Sequence, residues 1–303
     1  MDRLDAMSVL LTVVEAGSLS AGARRLGAPL ATVSRKVSDL EAHLKTRLLN
    51  RSSRRITLTD AGQSYLAACR RILEEVGEAE RAAAGEYSAP RGDLAITAPV
   101  VFGRLHVLPV VIGFLRAYPD IDIRLGLADR MINILEDPVD LAVRIGHLPD
   151  SSLVARRVGS IRRVLCASPA YLAVRGTPKQ PADLAAHECI TFEGMTAPQA
   201  WIFPAGKAET SVTIRSRLVV NTAEAAIDAA KAGIGITRVL SYQVASALRD
   251  GAVVLALQDF EPAPLPVNLV HVGQRLLPQK LRAFLDFATP RLQAALNPSP
   301  NAP

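Results

Sequence analysis

Residues 17–60 constrain the fold more than any other stretch, because two segments of helical periodicity are separated by a stop that leaves room only for a tight turn. Ser18 or Ser20 offers a side-chain oxygen to the orphan amides of a first turn, and Gly27 ends the short helix that runs through Leu26. A second helix is predicted over about 29–44. Pro29 suits its first turn, and Leu30, Val33, Val37, Leu40 and Leu44 recur every three or four residues along one face, which is expected to be buried. Thr32, Ser34, Arg35, Lys36, Ser38 and Asp39 then point outward. Two short helices about a tight turn, the second with hydroxyls and cations on its free face, form a helix-turn-helix pattern.

Charge gives that pattern a partner. Between Arg24 and Arg55 nine cations stand against two acids, Asp39 and Glu41, a local net charge of +7 in a chain whose total is +6. Such concentration in about a tenth of the chain matches the backbone phosphates of double-stranded DNA. Residues 50–55 are polar and basic, and Ile56, Thr57, Leu58 and Thr59 alternate as a short strand does. They predict a basic-tipped wing, able to lie along a minor groove.

Around this module the chain reads in order. Leu4, Met7, Leu10, Leu11 and Val14 give a first helix that closes the core and ends near Gly17. After the wing, Thr59 or Asp60 caps a long helix carrying Tyr65, Leu66, Cys69, Ile72, Leu73, Val76 and Ala79 and stopping by Pro90. About 28 helical residues span roughly 42 Å, more than a small domain covers with its own core. The stripe is expected to pair with its copy in a homodimer, with Tyr65, Leu66, Cys69, Leu73 and Val76 at the seam, which places two reading heads on one DNA.

From Gly92 short apolar runs alternate with helical segments, the pattern of an α/β sheet. Strands are predicted at 94–97, 121–127, 139–145, 153–158, 162–167, 234–237 and 265–272. Helices are predicted at 102–118, at 223–231 behind a cap at Asn221 or Thr222, at 241–248, and from Pro278 onward. The run at 162–167 opens a second lobe.

At 303 residues and 49% hydrophobic content the chain can hold two or three units with sizeable cores. No uncharged apolar run reaches eighteen residues, and the first five residues lack the basic-then-apolar order of a signal peptide, so the expectation is a cytoplasmic protein with no membrane partner. Cys69, Cys166 and Cys189 are odd in number and far apart, which argues against a disulfide framework or zinc. His43, His106, His147, His187 and His271 have no metal spacing, Gly233-Ile234-Gly235 lacks the third glycine of a dinucleotide loop, and no Gly-x-Ser-x-Gly elbow is present. Neither a metal, a cofactor nor an enzymatic reaction is expected.

The runs VVEAGSLSAGARRLG (from Val13), VSRKVSDLEAHL (from Val33) and TRLLNRSSRRITLTDAG (from Thr46) resemble the amino-terminal domain of LysR-type transcriptional regulators. The resemblance extends along the chain through LAVRIG, SSLVARRVG, KAGIGI and LRDGAVVLAL. It implies a mixed fold: a winged helix-turn-helix over 1–58, a linker and dimerisation helix over 59–89, and a two-lobed α/β, periplasmic-binding-protein-like effector domain over 90–303. Lobe I then takes about 90–161 and 266–296, and lobe II about 162–265, with the late strand and helix returning to lobe I. The family often has Ser-Gln where this chain has Pro29 and Leu30, so Leu30 is suited to a thymine methyl rather than to a hydrogen bond. Candidate DNA contacts are Ser20, Leu30, Thr32, Ser34 and Arg35 on the helices and Arg51, Ser53 and Arg54 on the wing.

A two-lobed α/β unit binds small molecules outside the carboxyl ends of its strands, where helix amino termini offer free amides. One candidate edge is Ala98, Pro99, Val100, Val101 and Phe102, and the other is Asn221 and Thr222. Gly146 would admit close backbone approach. The effector expected there is a small organic anion. The function these readings favour is a ligand-responsive DNA-binding regulator, dimeric or tetrameric, with RNA polymerase as a further partner. The alternative is a DNA-bound repressor or architectural protein whose second domain only assembles subunits.

Overall fold

The computed structural model describes residues 1–51, 56–83, 89–129, 139–148, 153–192, 200–205, 208–273 and 277–296. The chain divides into two compact units, Met1–Ala89 and Pro90–Pro303.

In the first unit α1 (Arg3–Glu15), α2 (Leu19–Leu26) and α3 (Leu30–Leu44) precede a two-stranded wing, β1 (Leu49–Arg51) against β2 (Ile56–Leu58), and then α4 (Asp60–Ala83). Ser18, not Ser20, caps α2 by accepting from Ala21 N at 3.1 Å. Gly27 closes that helix at φ +60°, a left-handed conformation that glycine adopts without steric cost. Val33, Val37 and Leu40 are buried with Ala6, Val9, Leu10 and Val13 of α1. Leu30 departs from the buried face expected for it. It is 48% exposed, because it opens α3 one turn beyond the reach of α1 and α2. Thr59 caps α4, accepting from Gly62 N at 2.9 Å, and at Gly62 a Cβ would come within 2.0 Å of the Leu48 carbonyl oxygen. That contact requires glycine where α4 leaves the wing.

The long helix corrects part of the pairing seam. Leu66 and Cys69 are buried, and Leu66 belongs to the core of this unit, with Tyr65 packed against it. The first turns of α4 lie on α1 and β2, so the domain's own core takes up this half of the stripe. From Ile72 the stripe emerges: Ile72 is 38% exposed, and Leu73 and Val76 are partly so.

The second unit holds two five-stranded sheets. In lobe I, β3 (Gly92–Ala98) runs parallel to β4 (Ile121–Leu127) and β5 (Leu141–Ile145), in the order β4-β3-β5-β14-β6. The late strand β14 (Leu265–Val272) inserts antiparallel between β5 and β6 (Leu153–Ile161). In lobe II the order is β11-β8-β12-β7-β13, from β7 (Arg163–Ala167), β8 (Glu188–Phe192), β11 (Arg215–Val220), β12 (Ile236–Leu240) and β13 (Val254–Ala256). The chain passes from the first sheet to the second at Arg162 and returns before Leu265. A hairpin, β9 (Ala200–Ala205) with β10 (Ala208–Thr213), covers one face of lobe II through Trp201 and Phe203. Helices α8 (Ala223–Lys231) and α9 (Ser241–Arg249) cover the other through Ala223, Ile227 and Val244. A short α7 (Pro169–Arg175) completes this lobe.

Lobe I is closed by α5 (Val100–Phe102), a π turn (Gly103–Val107) and α6 (Leu108–Ala117), together with α10 (Gln279–Leu296). The run Val100–Ala117 is long and apolar enough for a membrane span, yet Phe102, Val107, Val111 and Phe114 pack with Phe284 and Leu285 of α10 in the lobe I core. The strand expected at 234–237 lies two residues later, as β12. Gly233, at φ +78°, is still in the turn, and Gly235 packs so closely on the Glu188 carbonyl that a Cβ would stand 2.3 Å from its oxygen.

Candidate nucleic-acid interface and ligand crevice

The free side of α3 carries exposed Arg35 and half-buried Thr32 and Ser34, with Leu30 exposed at its start and Ser20 exposed in the first turn of α2. Pro29 precedes the helix and supplies no side-chain cap. Lys36, read from sequence as an outward cation, reaches back instead, its Nζ 2.7 Å from Asp5 Oδ2 of α1. Arg25 pairs with Glu15 at 3.5 Å, and Arg70 meets the same carboxylate at 3.6 Å. Two of the nine cations therefore brace the domain, and Arg24, Arg35, Lys45 and Arg47 remain exposed near the head's free surface. One of the two acids in the basic stretch is structural: Glu41 Oε1 accepts from Leu48 N and Leu49 N where the wing begins. Arg51 ends β1, while Ser53, Arg54 and the Arg51 side chain lie outside the described residues.

In lobe I the first candidate edge divides by burial. Ala98, Val101 and Phe102 belong to the core, and Pro99 and Val100 are left at the rim, Val100 being 37% exposed. Val100 N donates to Asp129 Oδ1 at 3.0 Å, so a carboxylate already serves this helix start. At the second edge Asn221 and Thr222 are exposed, and Thr222 Oγ1 accepts from Ala225 N at 3.2 Å. The amides of Ala223 and Glu224, in the first turn, have no intrahelical acceptor. Gly146 follows β5 at φ +117° with open space where a Cβ would stand, and its N–H donates to Pro266 O at 2.9 Å.

Tyr242 of α9 links the lobes, a residue that sequence patterning did not single out. Its ring meets Phe102 edge-on at 5.4 Å between centroids and lies 5.7 Å from His106. Burial, then the negative charges of Asp129 and Glu224, raise its hydroxyl well above the ordinary tyrosine range. Asp129 belongs to the Val100 edge and Glu224 follows Thr222, so both edges act on one phenol. Burial lowers His106, whose Nε2 is enclosed without a hydrogen-bond partner. Among the described residues no group of three or more His, Cys, Asp or Glu side chains is placed to hold a metal ion.

A winged helix-turn-helix followed by a two-lobed α/β domain is the architecture of a DNA-binding transcriptional regulator with an effector-binding domain. Residues 4–63 match the family described as bacterial regulatory helix-turn-helix protein, lysR family, and residues 88–293 match the LysR substrate binding domain. The chain belongs to the LysR family of transcriptional regulators. It is 36% identical to an HTH-type transcriptional repressor of Pseudomonas aeruginosa, over 95% of this chain and 91% of that protein. It is 31% identical to the HTH-type transcriptional activator AaeR of Escherichia coli, over 95% and 94%. Among solved structures it resembles CrgA, a LysR-type regulator from Neisseria meningitidis, with 30% identity, a TM-score of 0.60 and coverage of 95% of this chain and 98% of that one. The Vibrio cholerae virulence activator AphB is similar at 28% identity and a TM-score of 0.59, covering 94% and 98%.

Proposed function

We propose that this LysR-type regulator reads DNA through Thr32 and Ser34, with Leu30 against a thymine methyl and Ser20, Arg35, Arg51, Ser53 and Arg54 on the backbone. The observation that carries this reading is the contrast along α3: Val33, Val37 and Leu40 are sealed into the core, while Arg35 stands exposed beside two short hydroxyls. Short side chains let a helix enter the major groove, and the cations position it. The protein acts in the cytoplasm as a homodimer or tetramer paired through the emergent part of α4, engages RNA polymerase where it activates, and performs no enzymatic reaction.

The effector is a small organic anion held between the Val100 rim and the first turn of α8, its apolar body on Pro99 and Val100, with Gly146 allowing close approach. Since Asp129 serves the α5 side, the anion's charge falls to the Ala223 and Glu224 amides, beside the Thr222 hydroxyl. A ligand that binds only the folded chain stabilises it by about 2.7 kcal/mol at a hundredfold excess over Kd. A thermal-shift screen of metabolites on the full chain tests the reading. The expected hits are anions whose shift shrinks in Thr222→Val and with a bulky side chain at Val100. Hits confined to cations, or indifferent to both substitutions, contradict it.

A further inference from the structure

Arg238 of β12 stands on the face of the lobe II sheet that the hairpin covers, opposite the face held by α8 and α9. Its strand neighbour Ile236 packs with Leu165, Trp201 and Phe203, whereas Val239 packs with Ala223 and Val244. Only 5% of Arg238 is exposed. The guanidinium lies 5.2 Å from the centre of the Trp201 ring and 5.8 Å from that of Phe203, and Nη1 donates to Ile202 O at 3.0 Å. The Nε–H has no partner, and neither does the buried indole Nε1–H of Trp201.

A second guanidinium is close by. In the antiparallel register Arg238 opposes Leu165 and Leu240 opposes Arg163, so Arg163 is the diagonal neighbour of Arg238 on the same face. Among the described residues no carboxylate pairs with either arginine. Stacking on aromatic rings and the bond to Ile202 O offset part of the cost of burying a cation, but the Arg238 Nε–H and the Trp201 indole N–H are left without an acceptor beside a second, half-buried guanidinium. Burial and then the charge of Arg163 pull Arg238 down to about 10, a direction that a bound anion reverses.

We propose that Arg238, Arg163 and the Trp201 indole form a site for the carboxylate of a small organic acid, on the hairpin face of lobe II. The planar guanidinium offers its Nε edge to two carboxylate oxygens while Nη1 holds the hairpin. Leu165, Ile236 and Phe203 seal the inner side of the arginine pair, which disfavours a strongly hydrated inorganic anion, and the half-buried Arg163 is the side from which a ligand reaches it. This site lies on the opposite face of the sheet from α8, and the proposal does not depend on an effector bound at the Val100 and Thr222 rim.

Trp201 is the only tryptophan in the chain, so its emission reports this site directly. The full chain is titrated with acetate, succinate and benzoate, and with inorganic phosphate at matched ionic strength. The expected result is a saturable change in emission with an organic carboxylate and none with phosphate. Arg163→Gln should weaken that response at least about tenfold, the loss expected for a charge-assisted hydrogen bond, and Thr222→Val should leave it unchanged. Arg238→Lys keeps the charge and removes the fork, and should weaken it too. If that variant fails to fold, the half-buried Arg163 carries the test. No response to any carboxylate, an equal response to phosphate, an unaltered response in Arg163→Gln, or a response lost in Thr222→Val alone overturns the proposal.

Discussion

Glu41 Oε1 accepts hydrogen bonds from both Leu48 N, at 2.8 Å, and Leu49 N, at 3.1 Å, so one carboxylate of α3 fixes the start of the wing to the helix that precedes it. An acid inside a basic stretch opposes phosphate binding, and this one is retained for its two amides. Hydrogen bonds to a charged group contribute about 1.5–3 kcal/mol, less where water reaches them. Glu41→Ala should therefore lower the stability of the first unit by about 1–2 kcal/mol in urea unfolding. Glu41→Gln, which keeps an acceptor, should lose less. Equal losses in the two variants would contradict the role given to the carboxylate.

On DNA, Arg35→Ala should weaken binding to all sequences and reduce the salt dependence of log K by about one unit, because one phosphate contact disappears. Lys36→Ala should change the slope little, since its ammonium is engaged with Asp5. Filter binding over a range of salt concentrations checks both. A Lys36 effect as large as that of Arg35 would show that the ion pair opens on DNA.

The division of α4 into a buried and an emergent half separates two outcomes. Ile72→Glu with Val76→Glu should yield folded monomers, because burying each such side chain between copies stabilises the pair by about 1.5–3 kcal/mol. Leu66→Asp should unfold the first unit instead, since Leu66 is 6% exposed inside its own core. Sedimentation with circular dichroism distinguishes these. Dimers persisting in the double variant would place the seam elsewhere.

His106 links pH to the stability of the second unit. Burial lowers its folded-state value, so as pH falls the unfolded chain takes up a proton first. The stabilisation is complete above about pH 6.5 and is lost as pH falls through that value toward the folded one. His106→Phe keeps a ring against Phe102 and Tyr242 and cannot titrate. Between about pH 7.5 and about pH 5.5 its urea midpoint should fall less than that of the parent chain. Identical profiles would remove His106 from the pH response.

The reading head was legible because local signals agree there: the Ser18 cap, the left-handed Gly27 and the spacing of Val33, Val37 and Leu40 all specify the same two helices. The strands at Ile121–Leu127 and Leu265–Val272 were equally plain, the first as an alternation of apolar and charged residues and the second as an apolar run. The hairpin at Ala200–Thr213 was not read. Pro204 and the polar run of β10 obscure its alternation, and its apolar residues, Trp201 and Phe203, take their partners from strands distant in sequence. Leu66 was misassigned for a related reason. Helical spacing gives the face of a residue, whereas its cover is decided by α1, some fifty residues earlier. At the crevice the edges could be placed from strand ends, but Asp129 and Tyr242 act through contacts that no periodicity encodes.

The central claim is that two copies of this chain read one DNA through α3, and selection from a random duplex library by the full chain tests it most directly. The account predicts an enriched sequence with two-fold symmetry, its half-sites separated by about one helical turn or a multiple of it. Thr32→Ala with Ser34→Ala should change the bases selected while leaving the half-site spacing intact. No enrichment, a single unrepeated half-site, or the same bases selected by that double variant would contradict the account.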